Sequence, residues 1–319
     1  MKAEFRQPYS KDRKPLIELL PLTQPITMYI DPSSICNFKC EFCFQSNRDA
    51  LKSMNLSQMS LETLKIIITQ LKEFKNPIKM IHLHGFGEPL LNKYFPQMVA
   101  LLKDSNVAQR IATTSNASLL SNNLSNSIIE AGLDQIHFSI YGLEDSAYKT
   151  FSHRKISFSK IVENIKYFYQ YKTQYADKTG HNCHIHIKMN KDYFSKDDCQ
   201  RFLDIFGDYC DSIFLDGVAN IWYGIDVSDS LKINLSKEKK EKSIITHQYG
   251  HKLSSTYNIC PNIFYQLLIH SNGDVSPCCA DYQGRIKLGN IYTHNLKDIW
   301  DDKTSTTPPL ISKDYMNCA

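Results

Sequence analysis

ITMYIDPSSICNFKCEFCFQ, residues 26–45, decides the reading of this chain. Its first five residues crowd β-branched, thioether and aromatic side chains into a short apolar run, which marks a buried strand, and Asp-Pro-Ser-Ser ends it. In the loop that follows, Cys36, Cys40 and Cys43 are spaced C-x3-C-x2-C. Three thiolates at that spacing can wrap one face of an iron–sulfur cube from a single loop and leave the fourth iron without a protein ligand. Such an iron can chelate the amino and carboxylate groups of a small molecule. The competing reading is a zinc knuckle short of one ligand, but structural zinc takes four ligands and usually pairs its cysteines as C-x2-C.

Working outward, the same strand-then-helix order repeats. An amphipathic helix is expected from about Ser60 to Phe74, after which strand patterns at 79–84, 110–115, 135–140 and 184–189 precede helices near 92–104, 120–131, 158–175 and 195–206. A sixth strand falls at 212–217. Repeated β-then-α order implies a parallel sheet with helices on its outer face, here an α/β, partial (β/α)6 TIM-like barrel. In such barrels reacting groups gather after the C-terminal ends of the strands, where the cysteine loop, GFGEP at 85–89 and TTSN at 113–116 all fall. The period is lost from about Asn220 to Tyr257, and FYQLLIHSNGDVSPC then reads as two short strands joined at Asn272-Gly273. The expected division is an extension at 1–25, the barrel at 26–217, a bridge at 218–254 and a small C-terminal α+β domain at 255–319.

The 319 residues, 42% hydrophobic and 22% charged, exclude a wholly disordered chain. No window approaches the roughly 20 apolar residues of a membrane span, and the polar opening lacks the apolar stretch of a secretory signal. The expectation is a cytoplasmic protein with no membrane partner. A formal charge of +4, with Glu238 and Glu241 interrupting the basic run at 237–242, gives nucleic-acid binding little support. Ten cysteines are many for a reducing compartment, where metal binding or catalysis is the usual reason for them.

The triad resembles the signature of the radical S-adenosylmethionine superfamily, C-x3-C-x-aromatic-C, matched by Cys36, Cys40, Phe42 and Cys43. The resemblance implies a [4Fe–4S] cluster with S-adenosylmethionine, and it places Phe42 near the cofactor's adenine. GFGEPLLN at 85–92 is similar to the family's GGEP segment, with Phe86 in place of the commoner glycine. There Gly85 and Gly87 let the backbone approach the ligand and Glu88 faces the methionyl ammonium. Asn116 resembles the family's asparagine near the ribose, Ser139 resembles a residue near the carboxylate or ribose, and Ser115, beside Asn116, is a further cofactor-binding candidate. Their bland reading is caps and turn formers. Arg154 is a candidate cationic partner for the carboxylate, or a surface arginine.

From Cys260 through GDVSPC at 273–278 to LGNIYTHNLKDIW at 288–300, the chain looks like the extension called SPASM or, shortened, twitch. That resemblance implies a second, auxiliary iron–sulfur cluster on Cys260, Cys278 and Cys318. Its fourth ligand is not evident, Cys279 is an awkward substitute, and structural zinc is the alternative. Cys183, Cys199 and Cys210 read as buried inert thiols, or else as the hydrogen-atom donor an epimerase needs. His82 and His84 alternate with apolar neighbours and read as core or rim histidines. Tyr141, Asp216 and Trp222 follow strands and are candidates for the substrate pocket.

The resemblance implies a 5′-deoxyadenosyl radical that takes a substrate hydrogen, with an external one-electron reductant such as flavodoxin or ferredoxin. About 25 residues precede the first strand, leaving no room for a leader-peptide domain there. That favours a small polar substrate of sugar or aminocyclitol type, oxidised or epimerised, with a peptide or protein maturase as the second reading. A third, a non-catalytic iron–sulfur or zinc protein, does not explain GFGEP.

Overall fold

Alternating side chains build the sheet. The computed structural model describes residues 2–6, 14–52, 54–217 and 261–305. The bridge at 218–254, Trp222, Cys260 and Cys318 therefore lie outside the described residues. The strands are β1 (Glu4–Phe5), β2 (Thr27–Ile30), β3 (Met80–His82), β4 (Ile111–Ser115), β5 (Gln135–Ile140), β6 (His184–Asn190), β7 (Ser212–Asp216), β8 (Gln266–Ile269), β9 (Asp274–Ser276) and β10 (Gly289–Asn290). They form one sheet in the order β1-β7-β6-β5-β4-β3-β2-β8-β9-β10. From β2 to β7 every neighbouring pair is parallel, the partial barrel expected from the sequence.

The helices are α1 (Arg48–Lys52), α2 (Leu61–Leu71), α3 (Phe95–Asp104), α4 (Asn122–Glu130), α5 (Asp145–Phe151), α6 (Phe158–Thr179), α7 (Lys196–Phe206) and α8 (Leu296–Ser305). Their starts follow local chemistry. Ser60 and Ser121 accept backbone N–H groups from Thr63 and Leu124, and Ser195 with Asp198 forms a reciprocal cap on α7. Ile81, Leu83, Ile111, Ile136, Phe138, Ile185 and Ile187 leave the outer face of the strands and are fully buried with Leu64, Ile67, Val99 and Phe168 of the helices. The alternate positions face inward and are mostly polar.

The sheet extends past the six expected strands on both sides. At one edge Glu4 and Phe5 pair in parallel with Ser212 and Ile213. At the other, β8 runs parallel to β2 along its whole length, and β9 and β10 follow antiparallel. The Asn272-Gly273 turn is present, with Gly273 at φ +86°, and it joins β8 to β9. The C-terminal segment is also bound to α2: Gln70 donates to Ile291 O at 2.9 Å and accepts from Leu296 N at 3.1 Å. Trp300, fully buried, donates to Leu22 O at 3.0 Å.

Candidate functional site

The loop between β2 and α1 carries all three cysteines of the triad. Cys40 is buried, and Cys36 and Cys43 are half-buried. Cys43 N donates to Cys40 O at 2.9 Å, and Phe38 N donates to the Cys36 sulfur at 3.4 Å. Burial pushes the thiols up, Cys36 to about 11 and Cys43 to about 12, and it holds Cys40 well above the usual thiol range, with its two neighbours adding to the effect. Thiols so placed ionise readily only beside a strong positive centre.

Glu88 joins three loops at this rim. The side chain is buried, and its Oε1 accepts from Ser115 Oγ at 2.8 Å and from Leu90 N at 3.2 Å. Its Oε2 accepts from Asn116 N at 2.9 Å, and its own N–H donates to Ile35 O at 3.0 Å. Burial raises the carboxyl to about 7 against these bonds. Asn116 in turn donates through Nδ2 to Asn37 Oδ1 at 2.9 Å, inside the cysteine loop. The structure thus brings Glu88, Ser115, Asn116 and the cysteine loop into one network. Gly87 packs against the loop's backbone so closely that a Cβ would stand 2.2 Å from Ile35 O. Gly85 lies against Asp31. Ser139 is buried on β5, opposite Lys188, and takes no part in the Glu88 network.

Phe42 stacks on Tyr141, with ring centroids 5.7 Å apart and planes at 22°, and is tilted against Tyr193 at 5.9 Å. Phe86 fills a different role from that of a glycine. Its ring meets Phe44 at 5.9 Å and His270 at 5.2 Å, tying the rim to the C-terminal hairpin. Phe44 also stacks on Tyr282 at 4.5 Å. Arg154 is exposed and donates through Nε to Asn37 O at 2.7 Å. Cys278 is buried in the turn after β9 and accepts from Ala280 N at 3.4 Å, with Cys279 beside it.

Some residues here escaped the sequence reading. Gln45 donates to both Ser34 O (2.8 Å) and Phe86 O (3.0 Å), bridging the cysteine loop and GFGEP. Asp31, at the end of β2, accepts from Phe86 N at 3.3 Å, is held up to about 7 by burial, and leaves Oδ2 buried without a partner. An acid closing a strand just before a cysteine loop was the available signal. Cys183 and Cys210 precede β6 and β7, at the opposite end of the barrel from the rim, and Cys199 lies on α7. Asp216 pairs with Lys188 at 3.5 Å at the inner face.

The inner face is rich in neutral histidine. Burial lowers His82 to about 4 and His186 to about 3, and pushes His84 and His137 well below the usual range. In the metal-free chain this makes stability fall on acidification. A histidine with a depressed folded pKa is protonated first in the unfolded chain, so the stability present above pH 6.5 is lost as pH falls through that value toward 4. Asp31 and Glu88, raised to about 7, act in the opposite sense, losing stability as pH rises through the same range. Among the described residues six histidines, with His184 and His270 lowered as well, against these two carboxyl groups set the net sign. Melting between about pH 7 and about pH 4.5 should show a falling Tm, and a rise on acidification would show that the carboxyl groups dominate.

The donor set fits an iron–sulfur cube with one ligand-free iron: three thiols from one loop, buried toward a glycine-lined rim beside a carboxyl group. Among the described residues no three Cys, His, Asp or Glu side chains converge on a point that a single metal ion would take. Sequence comparison agrees with the geometry. The Radical SAM superfamily model matches residues 30–196, just over half of the chain, and the iron-sulfur cluster-binding domain model, SPASM, matches residues 260–319. The chain belongs to the radical SAM superfamily. A radical SAM enzyme of this kind carries a [4Fe–4S] cluster used with S-adenosylmethionine, and its SPASM region implies an auxiliary iron–sulfur cluster.

Among curated relatives, the GTP 3′,8-cyclase of Staphylococcus epidermidis is 27% identical over 197 residues, covering 59% of this chain and 57% of that protein. The tungsten-containing aldehyde ferredoxin oxidoreductase cofactor-modifying protein of Pyrococcus furiosus is 29% identical over 113 residues, 35% of this chain and 30% of that one. The radical SAM chain described here thus spans less than two thirds of the length of these relatives. Among solved structures, SuiB of Streptococcus suis bound to precursor peptide SuiA has a TM-score of 0.62 at 17% identity, covering 93% of this chain and 70% of that one. BtrN in complex with AdoMet and 2-DOIA has a TM-score of 0.52 at 16% identity, covering 92% and 89%. At these identities they share the fold. Among the described residues no helix is long and apolar enough to cross a membrane.

Proposed function

We propose that this radical SAM enzyme abstracts a hydrogen atom from a small polar substrate, of sugar or aminocyclitol type, and completes its oxidation. The observation that carries the reading is the polar inner face of the barrel directly below the rim network of Glu88. Cys36, Cys40 and Cys43 would hold the [4Fe–4S] cluster, with Gly85, Gly87 and Glu88 around the methionyl end of S-adenosylmethionine. Phe42, backed by Tyr141, would pack against adenine, with Ser115, Asn116 and Ser139 toward the ribose. Cys278 would join Cys260 and Cys318 at the auxiliary cluster. When bound, these groups supply the 5′-deoxyadenosyl radical and an acceptor for the second electron.

The chain's own part is to orient the substrate and exclude water. Oxidation is favoured over epimerisation by the placement of the scattered thiols. Epimerisation needs a thiol on the substrate's far side, and Cys183, Cys199 and Cys210 stand at the barrel's opposite end or outside it. The cytoplasm, a flavodoxin or ferredoxin reductant, and the absence of nucleic-acid and membrane partners belong to the same proposal.

The test is hydrogen transfer in the reconstituted, reduced enzyme. Deuterium from carbon-deuterated sugars or aminocyclitols should appear in 5′-deoxyadenosine, with a ketone as the product. Deuterium arriving only from peptides, or only from GTP, would sink the small-substrate reading. A hydroxyl-inverted product in place of the ketone would sink the oxidation.

A further inference from the structure

Three strands of the partial barrel, β3, β5 and β6, bring imidazoles onto one face. His82 on β3 and His84 just beyond it lie beside Tyr29 of β2: His82 stacks on Tyr29 at 4.6 Å, His84 meets it edge-on at 5.6 Å, and the two imidazoles are 5.3 Å apart. Directly paired in register, His137 of β5 and His186 of β6 meet edge to face at 5.2 Å. Between the two pairs runs β4, whose inward residues are small. Ala112 is the register partner of His82, and Thr114 that of His137. The outcome is a shelf of small side chains with two imidazoles on either side, and electrostatic influence between His137 and both His82 and His84 crosses it. Lys188 stands above, close enough to act on His84, His137 and His186, and is paired with Asp216.

These rings are not satisfied by the protein. His82 Nδ1, His84 Nδ1 and His186 Nε2 are buried without a hydrogen-bond partner, and Asp31 Oδ2 at the rim is a fourth such atom. Orphaned buried polar atoms are rare in folded proteins, and a group of them on one inner face calls for an occupant. Parts of the tautomer pattern follow from the neighbours. The Gln135 side-chain amide lies 2.7 Å from His137 Nε2 and pairs with it. Ser212 Oγ lies 2.9 Å from both His184 Nε2 and His186 Nδ1 and has one proton, so at least one of the two rings donates to it.

We propose that His82, His84, His137 and His186, around Ala112 and Thr114, form the substrate subsite, and that it takes an uncharged, hydroxyl-bearing ring or chain. The proposal rests on the small-substrate reading above and adds which residues select the substrate. A neutral imidazole offers one donor and one acceptor, and a hydroxyl answers either. A phosphate or carboxylate demands cations, and among the described residues Lys188 is already matched by Asp216, and Arg6, which also acts on His186, by Glu4. An alkyl group would leave the ring nitrogens unpaired. His84 is followed directly by Gly85, so the shelf lies immediately beneath the segment assigned to the methionyl end of the cofactor.

Binding is separable from turnover. Calorimetry on the full-length, cluster-loaded enzyme, with S-adenosylmethionine present but no reductant, would use myo-inositol and glucose as probes beside GTP, inorganic tripolyphosphate and zinc. At least one polyol should bind and shift the side-chain nitrogen resonances of 15N-histidine-labelled protein. His82→Leu and His84→Leu should each weaken that binding about tenfold, and His84→Gln, which keeps a donor and an acceptor, should recover most of it. The labelled wild type decides the matter alone if a leucine variant fails to fold. Polyol binding with unmoved histidine resonances and unchanged affinity in the variants would overturn the subsite while leaving the small-substrate reading standing. No polyol binding, or stoichiometric tripolyphosphate or zinc binding that the histidine variants abolish, would overturn it as well. Failure of deuterium transfer from every polyol, with transfer from a peptide, would instead bring down the reading on which it rests.

Discussion

Replacing Cys36 by alanine is expected to lower the iron content of the reconstituted chain by about four per molecule and to reduce 5′-deoxyadenosine formation on the order of a thousandfold or more. The size follows from where the chemistry resides: the protein positions, and the cluster with its cofactor reacts. Two thiols left in the loop cannot hold a cube that three were needed to hold. The loss should not come from unfolding, because Cys36 is half-buried and removing its sulfur costs only about 1 kcal/mol of packing. Unchanged far-UV circular dichroism beside the missing iron would confirm this. Cys278→Ala is the informative contrast. It lies in the C-terminal hairpin, so it should lower iron content yet leave reductive cleavage of S-adenosylmethionine largely in place. If Cys36→Ala formed 5′-deoxyadenosine at the wild-type rate, the assignment of the triad would be wrong.

The legible parts of this molecule are those written locally. Alternation placed the six barrel strands within a residue or two, and Ser60, Ser121 and Ser195 announced helix starts because an N-cap is a short-range bond. The hairpin turn at Asn272-Gly273 was readable for the same reason. What stayed hidden depends on distance along the chain. Nothing in QLLI at 266–269 says that it pairs with TMYI at 27–30, because parallel pairing between remote segments leaves no local pattern. Phe86 looked like a weakened match to a glycine motif. In three dimensions its ring packs against Phe44 and His270, which needs the hairpin in place before it makes sense. The histidines were half legible: alternation marked His82 and His84 as core or rim residues, but whether a ring nitrogen has a partner is a property of neighbouring strands. Gln45 shows the same limit, since an ordinary glutamine becomes a bridge only when Ser34 and Phe86 meet.

Gly87→Ala should be nearly as damaging as loss of a cysteine, by a different route. A Cβ at this position would stand 2.2 Å from Ile35 O, 2.4 Å from Ser33 O and 2.6 Å from Ile35 C, all backbone atoms of the cysteine loop. No side chain can swing aside to relieve the clash, so the loops must part. Parting them breaks the bond from Glu88 N to Ile35 O at 3.0 Å and strains the Gln45 bridge from Ser34 O to Phe86 O. The expected cost in stability is about 2–4 kcal/mol, in the range of overpacking that backbone cannot absorb. A displacement of about 1 Å between the loops should lower S-adenosylmethionine affinity or cleavage about a hundredfold. Gly180→Ala is the control: its φ of +76° strains any side chain, yet nothing lies within 4 Å, so it should lose about 1 kcal/mol and no cofactor affinity. Gly85→Ala falls between them, since what it meets at 2.7–2.8 Å is the Asp31 side chain. Calorimetric titration with S-adenosylmethionine on the three variants ranks them. Should Gly87→Ala bind it as tightly as wild type, the close approach of these two loops would not be what shapes the cofactor site.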